Sequence, residues 1–327
     1  MSDLYLGIDT SNYKTSAAVT DSCNRIIYER SEYLDVPAGS RGLRQSDAFF
    51  MHSNRLPSFI EEVFSALSEK EIAAVGVSSR PRRVEGSYMP CFLAGLNSAR
   101  TIGAALGIPV YQFSHQEGHA AAIIEDERIL TENDFAPSLL FHLSGGTTEF
   151  LLCRPDSIGY ETEIIGGTRD ISFGQLIDRT GVAMGLPFPA GAYLDKIASE
   201  YEGSLTPQIP RIKFDAGHFN LSGPETAIMR MIEDAPDELQ HAVVKQIFDA
   251  VADLLYKAAS ELSREHSART VYMAGGVASS SYIRNKIDKT LTGSSHNDFK
   301  IIFGRPSLSG DNAAGIAMLA RRLQENQ

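Results

Sequence analysis

A chain of 327 residues is too long for one small core and predicts two lobes. Apolar residues make up 43% and charged residues 22%, ordinary for a soluble globular protein, and no apolar run reaches the ~18–20 residues of a membrane span. The net charge of −11 excludes broad, non-specific nucleic-acid binding, though it leaves room for RNA presented by a basic partner or held on a local patch such as Arg80-Pro81-Arg82-Arg83.

The first residues, Met1-Ser2-Asp3-Leu4-Tyr5-Leu6, carry no basic leader and run straight into a strand-like stretch, which argues against a signal peptide. Leu4–Asp9 reads as a strand, Thr10–Thr15 as a polar turn, Ser16–Val19 as a second strand and Arg25–Leu34 as a third. A helix is predicted from about Asp47 to Leu67, with Ser46 or Asp47 placed to cap it. Ile72–Ser78 is a compact apolar strand, followed by a helix from about Pro90 to Leu106 and a strand at Val110–Phe113. Alternating strands and helices are the α/β signature.

Near residue 138 the pattern restarts. Ser138–Leu143 is a strand, Ser144-Gly145-Gly146-Thr147-Thr148 a glycine turn, and Glu149–Cys153 a returning strand. This echoes Gly7-Ile8-Asp9-Thr10-Ser11 followed by Ala17-Ala18-Val19, which hints at a duplicated domain. Val243, Val244, Ile247, Phe248, Val251, Leu254, Leu255 and Ala258 then recur at helical spacing. Strand Thr270–Ala274, the Gly275-Gly276-Val277 turn and a helix from about Ser280 come next. The chain closes with strand Lys300–Phe303, a Ser309-Gly310-Asp311-Asn312 turn and a helix from about Ala313. Cys23, Cys91 and Cys153 lie far apart with no metal-type spacing and read as reduced, mostly buried thiols of a cytoplasmic protein.

His115-Gln116-Glu117-Gly118-His119 is the sharpest local signal. On a helix, positions i and i+4 share a face, so both imidazoles can meet one ion, given a third ligand from elsewhere; otherwise they are an ordinary helix face. A zincin needs its Glu directly after the first His, and Glu117 falls one place late. The turns at Ser144-Gly145-Gly146-Thr147 and Gly275-Gly276-Val277 each follow a strand, the context in which backbone N–H groups cradle a phosphate. No P-loop and no GxSxG elbow is present. On local grounds Asp311 is a helix cap and Asp178 an exposed helical carboxylate.

Taken in order, these segments resemble the universal tRNA threonylcarbamoyladenosine transferases (bacterial TsaD and its archaeal and eukaryotic relatives), formerly called O-sialoglycoprotein endopeptidases or glycoproteases. The resemblance runs through Gly7-Ile8-Asp9-Thr10-Ser11, Gly95-Leu96-Asn97-Ser98-Ala99, the HxEGH segment and the Ser144-Gly145-Gly146 turn. It continues through Asp178-Arg179-Thr180, Pro189-Ala190-Gly191, Phe219-Asn220-Leu221-Ser222-Gly223, Gly275-Gly276-Val277-Ala278 and Gly310-Asp311-Asn312.

The resemblance implies an actin-like (ASKHA) α/β fold of two duplicated, ribonuclease-H-like lobes around a central cleft. The expected division is 1–115 plus 305–327 against 116–304. It implies an iron or zinc ion on His115, His119 and Asp311, two imidazoles and a carboxylate suiting both metals equally. It implies ATP, ADP or threonylcarbamoyl-adenylate held by His142, Leu143, Ser144, Gly145, Gly146, Asp178, Gly191 and Asp195, with Gly275, Gly276 and Ser280 alongside. The implied reaction joins the threonylcarbamoyl group of the adenylate to N6 of a tRNA adenosine. Implied partners are tRNA, reached through partner subunits, and a second actin-like chain, identical or paralogous; no membrane is involved.

Four departures stand out. The family's acidic pair after the first strand is replaced within Ser11-Asn12-Tyr13-Lys14-Thr15, one acid giving way to a cation. Its Gly-Pro-Gly is Arg80-Pro81-Arg82, its adenine-contacting Asn is Ser280, and Thr147 replaces a His or Asn. Asp9 and Lys14 are the catalytic candidates that remain. Kept metal ligands with lost acids also fit a non-catalytic or regulatory paralogue that binds metal and nucleotide; the glycoprotease label is the minor alternative.

Overall fold

The computed structural model describes residues 3–11, 13–35, 43–67, 71–126, 136–293, 298–305, 308 and 313–326. In chain order the first elements are β1 (Leu4–Ser11), β2 (Lys14–Asp21), β3 (Ile26–Tyr33), α1 (Gln45–Ala66), β4 (Ile72–Arg80) and α2 (Phe92–Leu106). Next come β5 (Val110–Ser114), α3 (His115–Ile124), β6 (Ser138–Leu143), β7 (Thr148–Pro155), β8 (Tyr160–Thr168), α4 (Phe173–Ala183) and α5 (Gly191–Glu200). The chain continues with β9 (His218–Phe219), α6 (Ser222–Ile232), α7 (Asp237–Glu265), β10 (Thr270–Ala274), α8 (Ser281–Gly293), β11 (Lys300–Phe303) and α9 (Ala313–Glu325). No described helix is long and apolar enough to cross a membrane.

These elements form two compact units. The first comprises Met1–Phe135, Arg154–Thr162 and Ser307–Gln327; the second comprises Ala136–Cys153 and Glu163–Pro306. In the first unit the strand order is β3-β2-β1-β4-β5. β1, β2 and β3 run antiparallel in turn, while β4 and β5 are parallel to β1. Leu4, Leu6 and Ile8 bury one face of β1 in a core with Val75, Val77, Leu56 and Phe59. Each such side chain contributes about 1.5–3 kcal/mol by leaving water.

The other face takes α9 at backbone contact. A Cβ on Gly7 would sit 1.9 Å from the Ala313 carbonyl oxygen, so only glycine fits there. α3 packs on α9 in the same way, since a Cβ on Gly315 would lie 2.0 Å from the carbonyl oxygen of Gly118. That packing puts α3 in the first unit, whereas a lobe boundary at 115/116 would assign it to the second.

The second unit has the strand order β11-β10-β6-β7-β8-β9. β6 pairs antiparallel with β7 and parallel with β10, which is itself parallel to β11. Apart from the two-residue edge strand β9, this repeats the order of the first sheet. The short sequence echo between residues 7–19 and 138–153 thus extends to a whole topology. Its core joins Phe141, Phe150, Phe173 and Phe219 to the apolar stripe of α7, including Val243, Ile247, Val251 and Leu255.

Two local expectations are corrected. The residues expected as a polar turn, Thr10–Thr15, are mostly strand: Thr10 pairs with Thr15 and Ser11 with Lys14, and β3 holds β2 straight through the Lys14–Tyr33 pair. α1 begins at Gln45 after Arg44, with no side-chain cap, and Asp47 occupies its first turn, where the helix dipole favours a carboxylate. The cysteines are mostly buried, as expected: Cys91 and Cys153 lie inside and Cys23 is exposed.

Candidate functional site

Ligands of parallel α/β sheets gather at the carboxyl ends of the strands. In the first unit this edge holds Asp9. Its side chain is almost fully buried, accepts a hydrogen bond from Ser78 Oγ and lies 3.1 Å (Oδ2) from His115 Nδ1. Burial alone would raise the Asp9 carboxyl; the charge of His115 and hydrogen bonds from His115, Ser78 and Ser11 outweigh it and hold the group below the ordinary carboxylate range.

α3 starts at His115 because Ser114 caps it. Ser114 Oγ accepts from the Glu117 backbone N–H at 3.2 Å, and Glu117 Oε2 accepts from the Ser114 N–H at 2.8 Å, a reciprocal capping box. Buried Glu117 also stands 3.5 Å from Arg83. Its carboxylate therefore fixes the helix start, a role hidden in the sequence by the attention the histidines draw. One turn apart, the rings of His115 and His119 meet edge-on with centroids 4.7 Å apart. Asp9 at Nδ1 assigns any metal bond of His115 to Nε2, the arrangement usual for metal-binding imidazoles. Imidazole nitrogens are donors that suit borderline metals such as iron and zinc. Asp311 lies outside the described residues, and among those described no group of three His, Cys, Asp or Glu is placed to hold a metal.

Lys14, at the start of β2, has its Nζ 5.6 Å from the centre of the Tyr33 ring. Next to it, Thr15 Oγ1 pairs with Nδ1 of the fully buried His52 at 2.8 Å. Burial pushes the His52 imidazole down to about 4, against the opposing pull of the Ser11 carbonyl and Asp9.

The second unit contains a cavity of about 510 Å³ lined by Gly145, Asp178, Gly191, Asp195, Gly276 and Ser280 from the expected nucleotide set. Eight further residues complete its wall, among them Gly174, Ile177 and Phe248, none of them in that set. Gly174 carried a sequence signal, since it stands in the first turn of a helix two residues after a serine cap. The other expected residues do not line the cavity. Leu143 is core, and Ser144 closes the turn by accepting from Thr147 N–H at 3.0 Å and donating to the Thr147 carbonyl at 2.9 Å. Gly275 (φ +107°) lies beneath it, where a Cβ would be 2.3 Å from the Leu143 carbonyl oxygen. His142 is half-buried in β6, and Gly146 is exposed at the turn.

Asp195 is tied to the start of α8. It accepts from Ser280 Oγ, from Ser281 N–H at 3.2 Å and Oγ at 3.0 Å, and from Tyr282 N–H at 3.1 Å. Asp178 accepts from the Ala190 N–H at 2.8 Å, fixing the loop that carries Gly191. Half-buried rather than exposed, Asp178 is a wall residue of the cavity. Nearby, Asp170 anchors the Phe219–Gly223 segment by accepting from Leu221 and Ser222 N–H at 2.8 and 3.0 Å.

Two sheets of one strand order, each flanked by helices, define an actin-like (ASKHA) α/β protein. Among solved structures, component A of the (R)-2-hydroxyglutaryl-CoA dehydratase of Acidaminococcus fermentans matches 99% of this chain and 99% of its own at a TM-score of 0.55 and 14% identity. A ROK family glucokinase from Streptomyces griseus, in complex with glucose and AMPPNP, matches 97% of this chain and 99% of its own at 0.51 and 14%. The family model for TsaD, tRNA N6-adenosine threonylcarbamoyltransferase, matches residues 39–318. A tRNA N6-adenosine threonylcarbamoyltransferase from Halalkalibacterium halodurans is 30% identical over 97% of this chain and 90% of its own. The chain belongs to the TsaD family of tRNA N6-adenosine threonylcarbamoyltransferases.

Proposed function

We propose that this chain is a cytoplasmic threonylcarbamoyl transferase that binds an iron or zinc ion in its first unit and an adenine nucleotide in its second. His115, His119 and Asp311 would hold the metal; the cavity lined by Gly145, Asp178, Gly191 and Gly276 would hold ATP, ADP or threonylcarbamoyl-adenylate. The observation that carries the reading is that cavity, because six residues expected to serve a nucleotide, scattered over some 135 positions of sequence, line one space of nucleotide size.

In the transfer, N6 of a tRNA adenosine bonds to the carbamoyl carbonyl carbon, the bond from that carbon to the adenylate phosphate breaks, AMP leaves and N6 gives up a proton. A bound metal would supply Lewis-acid polarisation of the carbonyl-phosphate. Asp9 orients His115, and the Asp178–Ala190 bond holds the Gly191 loop at the cavity wall. Access to N6 needs an adenosine outside a base stack, and at a net charge of −11 the tRNA would be presented by partner subunits. A second actin-like chain, identical or paralogous, is the natural partner.

One observation favours a second reading, a regulatory paralogue that binds metal and nucleotide without turnover: Tyr13 and Lys14 stand where the family carries acids. The peptidase reading draws no support from Glu117, whose carboxylate closes a capping box. The deciding experiment assays threonylcarbamoylation of tRNA by the metal-loaded chain with partner proteins. Turnover abolished by His115→Ala supports the transferase. Nucleotide binding without turnover, beside an authentic transferase that works, supports the regulator.

A further inference from the structure

Buried polar atoms without partners are rare in native proteins, and each one asks for an explanation. Among the described residues, three of them surround the carboxyl edge of the first sheet: Ser16 Oγ, His52 Nε2 and Arg80 Nε. Ser16 sits opposite Asp9 in the β1–β2 register, and His52 contacts Thr15 on the same hairpin. Arg80 is the last residue of β4 and pairs with Ser114, the residue just before His115. It is half-buried, and its Nε meets no hydrogen-bond partner. A partly desolvated guanidinium with an unmet donor is costly unless an acceptor reaches it. Lys14 begins β2, two strands from β4 and hence ~10 Å away by the usual strand spacing.

We infer that Arg80, with Lys14, forms an oxyanion-recognition site at the carboxyl edge of the first sheet, which reads a carboxylate or phosphate of the substrate and so determines which acyl donor the chain accepts. The inference rests on the proposed reading that this edge handles substrate. The guanidinium fork pairs with two oxygens of a carboxylate or phosphate at once, which an ammonium cannot do. Lys14 adds charge without that geometry. The resulting site favours a donor with a negative group at a set distance from its reacting carbonyl and disfavours a neutral carbamoyl compound.

The test titrates two probes, N-carbamoyl-L-threonine and inorganic phosphate, into the full chain and into Arg80→Ala, Arg80→Lys and Lys14→Glu. Adenosine, which has no oxyanion, is titrated alongside as a control for the second unit. The wild-type chain is expected to saturate with at least one probe. Arg80→Ala should weaken that binding at least tenfold, and Arg80→Lys should restore only part of it, while every variant keeps the adenosine affinity of the wild type. Saturation by N-carbamoyl-L-threonine identifies a carboxylate as the group read; saturation by phosphate alone identifies a phosphate. Absence of saturable binding of either probe, or equal binding by Arg80→Ala, overturns the inference while the adenosine titration still reports on the nucleotide reading. Failure of adenosine alone contradicts the nucleotide reading and leaves the oxyanion result standing.

Discussion

The Asp9 carboxylate lies 3.1 Å from Nδ1 of His115, joining the end of β1 to the first turn of α3 across 106 residues of sequence. An outer carboxylate of this kind fixes the tautomer and orientation of a metal-binding imidazole, and losing one typically costs 10–100-fold in metal affinity. Asp9→Asn is therefore expected to lower iron or zinc affinity by about 10–100-fold while the fold persists, as read by competition with a chelator. Unchanged affinity would separate Asp9 from metal binding.

His52 gives the protein a pH dependence with a definite sign. Its folded-state imidazole is held down to about 4 by burial, against an ordinary value of 6.5. Between those values the unfolded chain binds more protons than the folded one, so stability falls as pH drops through that window and levels off below it. The expected loss from this group is about 2 kcal/mol between pH 7 and pH 5. Urea unfolding at both pH values checks it: His52→Gln should show a smaller pH difference than wild type, and an equal difference would show that His52 is not the titrating group.

Asp195 has a structural duty whatever it contacts. It accepts two backbone N–H groups at the start of α8, so Asp195→Ala should destabilise the chain by about 1–2 kcal/mol in urea unfolding. Asp195→Asn keeps an acceptor and should lose much less. Equal losses would show that charge, not capping, is what Asp195 supplies.

The cavity can be filled without disturbing its frame. A Cβ on Gly145 meets nothing within 4 Å, whereas one on Gly174 would sit 2.4 Å from the Gly145 backbone. Gly145→Leu should leave the thermal midpoint nearly unchanged and weaken adenosine binding at least tenfold. Gly174→Ala should lower the midpoint as well, because two backbone segments must part. The first result reversed, with stability lost and affinity kept, would remove adenosine from this cavity.

The strands at Leu4–Asp9, Ile72–Ser78 and Thr270–Ala274 were legible because each is an apolar run bounded by polar or glycine turns. α7 was legible because Val243 through Ala258 keep one helical period over several turns. The histidine pair was visible because i and i+4 spacing needs no tertiary information. What stayed hidden depends on distant partners. Asp195 caps a helix 85 or more positions away, and Asp170 anchors a segment some 50 positions downstream. Short-range pattern carries no trace of either. β9 is two residues long and exists only as an addition to β8, and the capping role of Glu117 emerges only once α3 is seen to begin at His115.

The most direct test of the account is a calorimetric titration of ADP into the full chain loaded with iron or zinc. The account predicts saturable binding of one ADP per chain, weakened at least tenfold by Gly145→Leu. Absence of saturable binding, or binding that Gly145→Leu leaves untouched, would contradict it.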